Sequence, residues 1–126
     1  MKMHKDLEVW KKSMQLVTEI YLVTQSFPEE ELYGLASQIR QSAVSIPSNI
    51  SAGAARKENL EFISFLHLAL GSKNVLETQL IIAFNLKYMS DKQHIDLKLK
   101  VGEIGKMILG LINYFKNKNS NNRESL

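Results

Sequence analysis

The chain has 126 residues, a formal net charge of +3, 44% hydrophobic and 23% charged residues, and no cysteine. This is the composition of one folded domain, and the absence of cysteine excludes disulfides, thiol catalysis and thiolate metal sites. No apolar run approaches the roughly 18 residues of a membrane-spanning helix, and the first ten residues are too polar for a signal peptide. These features predict a mostly helical, cytoplasmic domain.

Steps of three and four residues between apolar side chains predict a first helix with two apolar stripes. One stripe comprises Leu7, Trp10, Met14, Val17, Tyr21 and Thr24. The other comprises Leu16, Ile20, Val23 and Phe27. Two stripes exceed what the core of a single bundle requires, so we expect the surplus to pack between subunits.

A second helix is predicted from about Pro28 or Leu32 to about Ala55. Ser26 and Glu29 have the spacing of a capping box at its start, and residues 29–31 are three glutamates that would lie at the positive end of the helix dipole. The predicted inner face comprises Leu32, Leu35, Ile39, Ile46 and Ile50. Proline inside this helix, at position 47, predicts a kink or a break.

Two further helices complete the pattern. The third runs from about Asn59 to Met89 and is apolar on most sides, and a capping box at Ser90 and Gln93 opens the fourth. The seam of the fourth helix comprises Leu97, Val101, Ile104, Ile108, Leu111 and Phe115. Residues 1–116 therefore predict an all-α fold, an antiparallel up-down-up-down four-helix bundle, and residues 117–126 a disordered polar tail.

Facing positions of the second and third helices should sum to roughly 114 if the two helices turn near Lys57. This register places small residues on both sides and gives Gly71 a role in close backbone approach. It also brings Arg40 level with Asn74 and close to Glu77. Two interpretations remain open for this group: a buried structural ion pair, or a ligand site.

No reaction is indicated by the motifs. The histidines at positions 4, 67 and 94 form no i,i+4 pair, and the chain contains no nucleophile elbow, no phosphate-binding loop and no dinucleotide-binding loop. The sequence therefore predicts a protein that is not an enzyme, with no cofactor and no metal.

Several runs of residues resemble the four-helix-bundle proteins encoded in intervening sequences of bacterial 23S rRNA. The runs are Leu7–Trp10, Phe27–Leu35, Ser37–Arg40, Ala43–Ile50 with Gly53, Phe65–Ser72 and Leu76–Leu80. The family motif falls on Arg40, Pro47, Asn49, Gly53, Gly71 and Glu77. The chain departs from the family pattern at Gln41, where a second arginine is usual, and at Ala52, where a glutamate is usual.

The resemblance implies a homopentamer and a similarity to accessory proteins of diversity-generating retroelements, which are thought to bind nucleic acid through a basic surface. Combined with a net charge of +4 in residues 64–126, it predicts a sequence-independent nucleic-acid binder, with rRNA or another nucleic acid as partner. The candidate phosphate contacts are Lys98, Lys100, Lys106, Lys116 and Lys118, with Arg123 assisting. Two alternatives remain: a lysine-rich solvated face, and a homo-oligomeric scaffold that binds another protein.

Overall fold

The computed structural model describes His4 and residues 7–124, with side chains through Asn119. It contains four α-helices, α1 (Glu8–Thr24), α2 (Leu35–Ala54), α3 (Asn59–Asn85) and α4 (Asp91–Glu124), and a 3-10 turn at Glu29–Glu31. Helices consecutive in the chain pack against each other, and α4 closes the bundle against α1. The predicted all-α four-helix bundle is confirmed. None of the described helices is both long and apolar enough to cross a membrane.

The core is formed by one side of each helix. On α1 the second predicted stripe is the buried one, since Leu16, Ile20 and the following Phe27 are all inside. The first stripe is only partly covered, and its Met14 and Tyr21 are exposed. The surplus apolar surface that the two stripes predict on α1 is therefore present on this single chain.

The start of α2 differs from the prediction. The hydroxyl of Ser26 donates to the carbonyl of Val23 and does not cap a following helix. The backbone stays extended at Pro28, and the long helix begins only at Leu35. There the backbone N–H of Leu35 donates to Glu31 Oε1 at 3.2 Å, so the third glutamate of the cluster satisfies one of the unpaired N–H groups at the helix start.

Pro47 lies buried within α2, and the helix continues through it without a break. The proline leaves the ladder one donor short. Next to it, the Ser48 hydroxyl donates to the Val44 carbonyl at 2.8 Å, and the Asn49 amide donates to the Ser45 carbonyl at 2.9 Å. These side-chain donors add hydrogen bonds to the turn that the proline weakens.

The close approach of α2 and α3 occurs at Gly53 and not at Gly71. A Cβ on Gly53 would lie 2.6 Å from Phe65 Cβ and 2.8 Å from Phe62 Cδ1, whereas a Cβ on Gly71 would meet nothing within 4 Å. The role predicted for Gly71 is therefore wrong. Gly71 lies on the exposed side of α3, about 100° around the helix axis from Ser72 and farther from Phe62 and Phe65, which face α2.

The fourth helix begins as predicted. The Gln93 N–H donates to Ser90 Oγ at 3.1 Å, and the Ser90 N–H donates to Gln93 Oε1 at 3.0 Å, which completes the capping box. The buried seam ends on Ile112 and Phe115, with Leu111 only partly covered. The helix continues to Glu124, through most of the segment predicted as a disordered tail, and residues 125–126 lie outside the described part.

Candidate functional site

The five candidate lysines do not converge on one surface. With 3.6 residues per turn, Lys98 and Lys116 share a side of α4, Lys106 lies about a quarter turn away, and Lys100 and Lys118 lie on nearly the opposite side. All but Lys100 are exposed. The side chain of Arg123 lies outside the described residues.

Lys100 is already engaged with two carboxylates. Its ammonium forms ion pairs with Glu19 of α1 and with Asp96, one turn earlier in α4. The hydrogen bond to Glu19, followed by that to Asp96, raises the pKa of Lys100 above its usual value. With the pair between Lys12 and Glu103, these contacts join the charged faces of α1 and α4. Lys100 therefore serves the fold and is a poor candidate for phosphate contact.

Arg40 does not pair with Glu77. The Nε of Arg40 donates to Thr24 Oγ1 at 2.8 Å, and its guanidinium lies 4.7 Å from the centre of the Tyr21 ring. Glu77 instead pairs with Lys73, one turn earlier in α3, at 3.1 Å. The predicted ion pair between Arg40 and Glu77 is wrong, because Arg40 lies on the side of α2 that faces α1.

Two further motif residues, Asn49 and Gly53, lie where α2 packs against α3. The hydroxyls of Ser45 and Ser72 are 2.8 Å apart across the two helices, and Asn49 Nδ2 donates to Ser45 Oγ at 3.0 Å. Further along, the missing side chain of Gly53 leaves room for the Cβ of Phe65 and the ring of Phe62. Rising numbers on α2 thus meet falling numbers on α3, which is the order of an antiparallel pair. Asn49 and Gly53 therefore have structural roles.

Charge is divided unequally between the two halves of the bundle. Arg40 is the only charged residue from Leu35 to Ala55. From Phe62 to Leu86 the only charged residues are Lys73 and Glu77, which pair with each other. We call the outer surface of α2 and of residues 62–85 of α3 the uncharged face. The other half, α1 and α4, carries the ion pairs that join those two helices.

The uncharged face carries an apolar ridge along α3. Leu68, Val75 and Ile82 follow one another at intervals of seven residues, and 56%, 50% and 43% of their surfaces are exposed. Leu86 extends the ridge at one end and is also exposed. At the other end the exposed Glu61 lies seven residues before Leu68. Exposed apolar side chains that line up along one side of a helix are typical of surfaces that contact another molecule.

A second feature is an open groove between α1 and α2. It has a volume of about 620 Å³. Its lining comprises Tyr21, Leu32, Tyr33, Ser37, Arg40, Gln41, Val44 and Ser45. Arg40 is the only charged residue in this lining. The sequence indicated Arg40 as a candidate but did not predict the groove, because the shape of the groove depends on how residues 25–34, between α1 and α2, fold back.

No group of three histidine or acidic side chains able to hold a metal occurs in the described part of the chain. A smaller cavity of about 270 Å³ lies between α3 and α4, lined in part by Glu77, His94 and Lys98. The ring of His94 stacks on Phe84 with 4.2 Å between centroids. Among the described residues we find no group of side chains with the geometry of a catalytic site.

Comparison with known proteins supports the family resemblance. The model of the family described as 23S rRNA-intervening sequence protein matches residues 5–110. A solved structure from Bacteroides thetaiotaomicron, a protein with unknown function from the S23 ribosomal protein family, superposes with a TM-score of 0.77 at 25% identity. That match covers 83% of this chain and 95% of the other. No curated protein matches the chain.

Proposed function

We propose that this chain, which belongs to the 23S rRNA-intervening sequence protein family, is a non-enzymatic, homo-oligomeric scaffold that binds another protein. In this proposal the apolar ridge of α3 joins copies of the chain. The number of copies that the family resemblance implies is five.

The observation that carries the proposal is the apolar ridge within the uncharged face. Leu68, Val75 and Ile82 are each about half exposed on a single chain, and the charged residues between them in sequence, Lys73 and Glu77, pair with each other on another side of α3. Burying apolar surface stabilises an assembly by about 25 cal/mol per Å². The residues between the members of the ridge on this side of α3 are uncharged: Gly71, Ser72, Thr78 and Gln79. An interface along the ridge would therefore bury apolar area without burying a charged side chain.

The test is the subunit count of the purified protein and of two variants. We expect native mass spectrometry to show an oligomer for the wild type and a monomer for Val75→Glu, because the new carboxylate would lie in the middle of the ridge. Leu99→Glu is the matched control: Leu99 is 70% exposed on α4, outside the ridge, so this variant should keep the wild-type count. A monomeric wild type, or equal dissociation by both variants, would refute the scaffold.

Nucleic-acid binding is the second candidate function. It is supported by Lys98, Lys106, Lys116 and Lys118, which form no ion pair with any described carboxylate. An oligomer would multiply these exposed cations on one particle. Contacts of this kind make affinity fall steeply with salt.

The measurement for this second function is binding of a labelled rRNA fragment between 50 and 300 mM salt. We expect a steep loss of affinity, and Lys116→Ala should reduce the salt slope. Lys12→Ala is the control, because Lys12 is neutralised by Glu103. Affinity that does not change with salt would exclude this function.

A further inference from the structure

The groove between α1 and α2 presents an arginine whose binding capacity is incompletely used. Arg40 Nε is satisfied by Thr24 Oγ1 at 2.8 Å. Among the described residues, none accepts a hydrogen bond from its two terminal nitrogens, and no carboxylate lies within ion-pair distance. A half-buried guanidinium with vacant N–H groups is suited to an incoming anion.

The guanidinium is also held in position before any ligand arrives. Thr24 is buried, and its hydroxyl donates to the Ile20 carbonyl at 2.7 Å, which leaves its oxygen to accept from Arg40. Tyr21 supports the cation from the face of its ring. Because these contacts fix the side chain, little conformational entropy is lost when the remaining N–H groups bind.

The surroundings of Arg40 favour one carboxylate over a polyanion. Leu32 and Val44 supply apolar walls, and Tyr33 is 93% exposed, so its ring is available for contact. No second cation lines the groove. The three glutamates at 29–31 immediately precede Leu32 in the chain and would repel the repeated phosphates of a nucleic acid.

We propose that this groove binds a segment of a partner protein in which a glutamate or aspartate side chain is flanked by apolar residues. The carboxylate accepts hydrogen bonds from the terminal nitrogens of Arg40, and the apolar neighbours pack against Leu32, Val44 and the tyrosine rings. This inference rests on the proposed scaffold function, and it specifies the chemistry of the bound segment.

The test uses two peptides with the full-length protein. They are acetyl-Ser-Ser-Leu-Glu-Leu-Ser-Ser-amide and the same peptide with Gln in place of Glu, titrated while NMR follows the Nε–Hε signal of Arg40. We expect saturable binding of the Glu peptide, about tenfold tighter than the Gln peptide. This comparison is made on the wild type and therefore does not depend on whether a variant folds. Equal affinity for the two peptides would overturn the proposal.

Variants then locate the contact. Arg40→Gln should abolish the preference for the Glu peptide, and Arg40→Lys should retain only part of it, because an ammonium lacks the planar pair of donors. Arg56→Gln is the matched control: Arg56 also lies over an aromatic ring, 5.0 Å from the centre of Phe65, but outside the groove. Loss of the preference in the Arg56 variant alone would place the carboxylate site elsewhere and overturn the assignment.

Two further measurements separate the possible occupants. Inorganic phosphate and an oligothymidylate are titrated in the same way, and stronger binding of either one than of the Glu peptide would overturn a protein partner. Native mass spectrometry of Arg40→Gln should give the wild-type subunit count, since dissociation would assign the carboxylate to a second copy of this chain. A monomeric wild type that still prefers the Glu peptide would refute the scaffold and leave the groove site standing.

Discussion

Replacing Gly53 by alanine should destabilise the bundle at the closest approach of α2 and α3. The new methyl group would lie 2.6 Å from Phe65 Cβ and 2.8 Å from Phe62 Cδ1. The Phe65 Cβ is fixed to the backbone of α3 and can move only if the helix moves. Phe62 has little freedom either, because it is 1% exposed and its ring lies 4.9 Å from that of Phe115.

The size of the effect follows from two opposing contributions. Overpacking of a core costs about 1–3 kcal/mol. Alanine recovers at most about 1 kcal/mol of helix propensity, and less here because Gly53 is the second-last residue of α2. The net loss of unfolding free energy is therefore about 1–2 kcal/mol, which lowers the Tm by roughly 4–8 °C in a domain of this size.

Thermal unfolding followed by circular dichroism measures this loss. The matched control is Gly102→Ala in α4, where a Cβ would meet nothing within 4 Å. That substitution should stabilise the protein by about 0.5–1 kcal/mol, because the only change is in helix propensity. Equal changes in Tm for the two variants, or stabilisation by alanine at position 53, would refute the close approach.

Three other substitutions test individual contacts. Glu77→Ala should cost no more than about 0.5 kcal/mol of unfolding free energy in denaturant titration, because Glu77 forms only a partly exposed i,i+4 ion pair with Lys73. A loss of several kcal/mol would contradict this and indicate a buried ion pair with Arg40 instead. Ser90→Ala should cost about 1 kcal/mol in the same assay, since the N–H of Gln93 loses its cap, and an unchanged midpoint would contradict the capping box. The hydrogen bond from Tyr88 to Glu31 raises the pKa of the phenol above 10.0, so its contribution to stability is present below pH 10 and is lost as the pH rises through the raised value. We therefore expect Tyr88→Phe to lose less unfolding free energy than the wild type between pH 9 and pH 11, and an identical loss in both proteins would count against that bond.

The helices and most core positions could be predicted because periodicity is a local property of the chain. Capping of helix starts by side chains was predictable only where no residue distant in sequence takes part. The capping box at Ser90 forms, but the one predicted at Ser26 does not. Near Ser26, the third glutamate of the cluster is held by Tyr88, which is 57 residues away. No pattern within a short window carries that information.

The candidate site was less accessible to sequence reasoning for a geometric reason. Summing residue numbers across a hairpin gives the height of a residue along the bundle but not its rotation about the helix axis. The sum therefore places Arg40 level with Asn74 and close to Glu77, although Arg40 lies on the α1 side of α2 and contacts Thr24. The lysines of α4 are a different case, because the sides of the helix on which they lie follow from 3.6 residues per turn and could have been predicted from the sequence.

The carboxylate of Glu31 has a consequence for how the bundle opens. One of its oxygens accepts from the Leu35 N–H, and the other accepts from the hydroxyl of Tyr88 in the connection between α3 and α4. The two connections are thereby fastened together at one end of the molecule. We therefore expect fraying of the first turn of α2 to be coupled to release of the Tyr88 ring, so that amide hydrogens at this end exchange together.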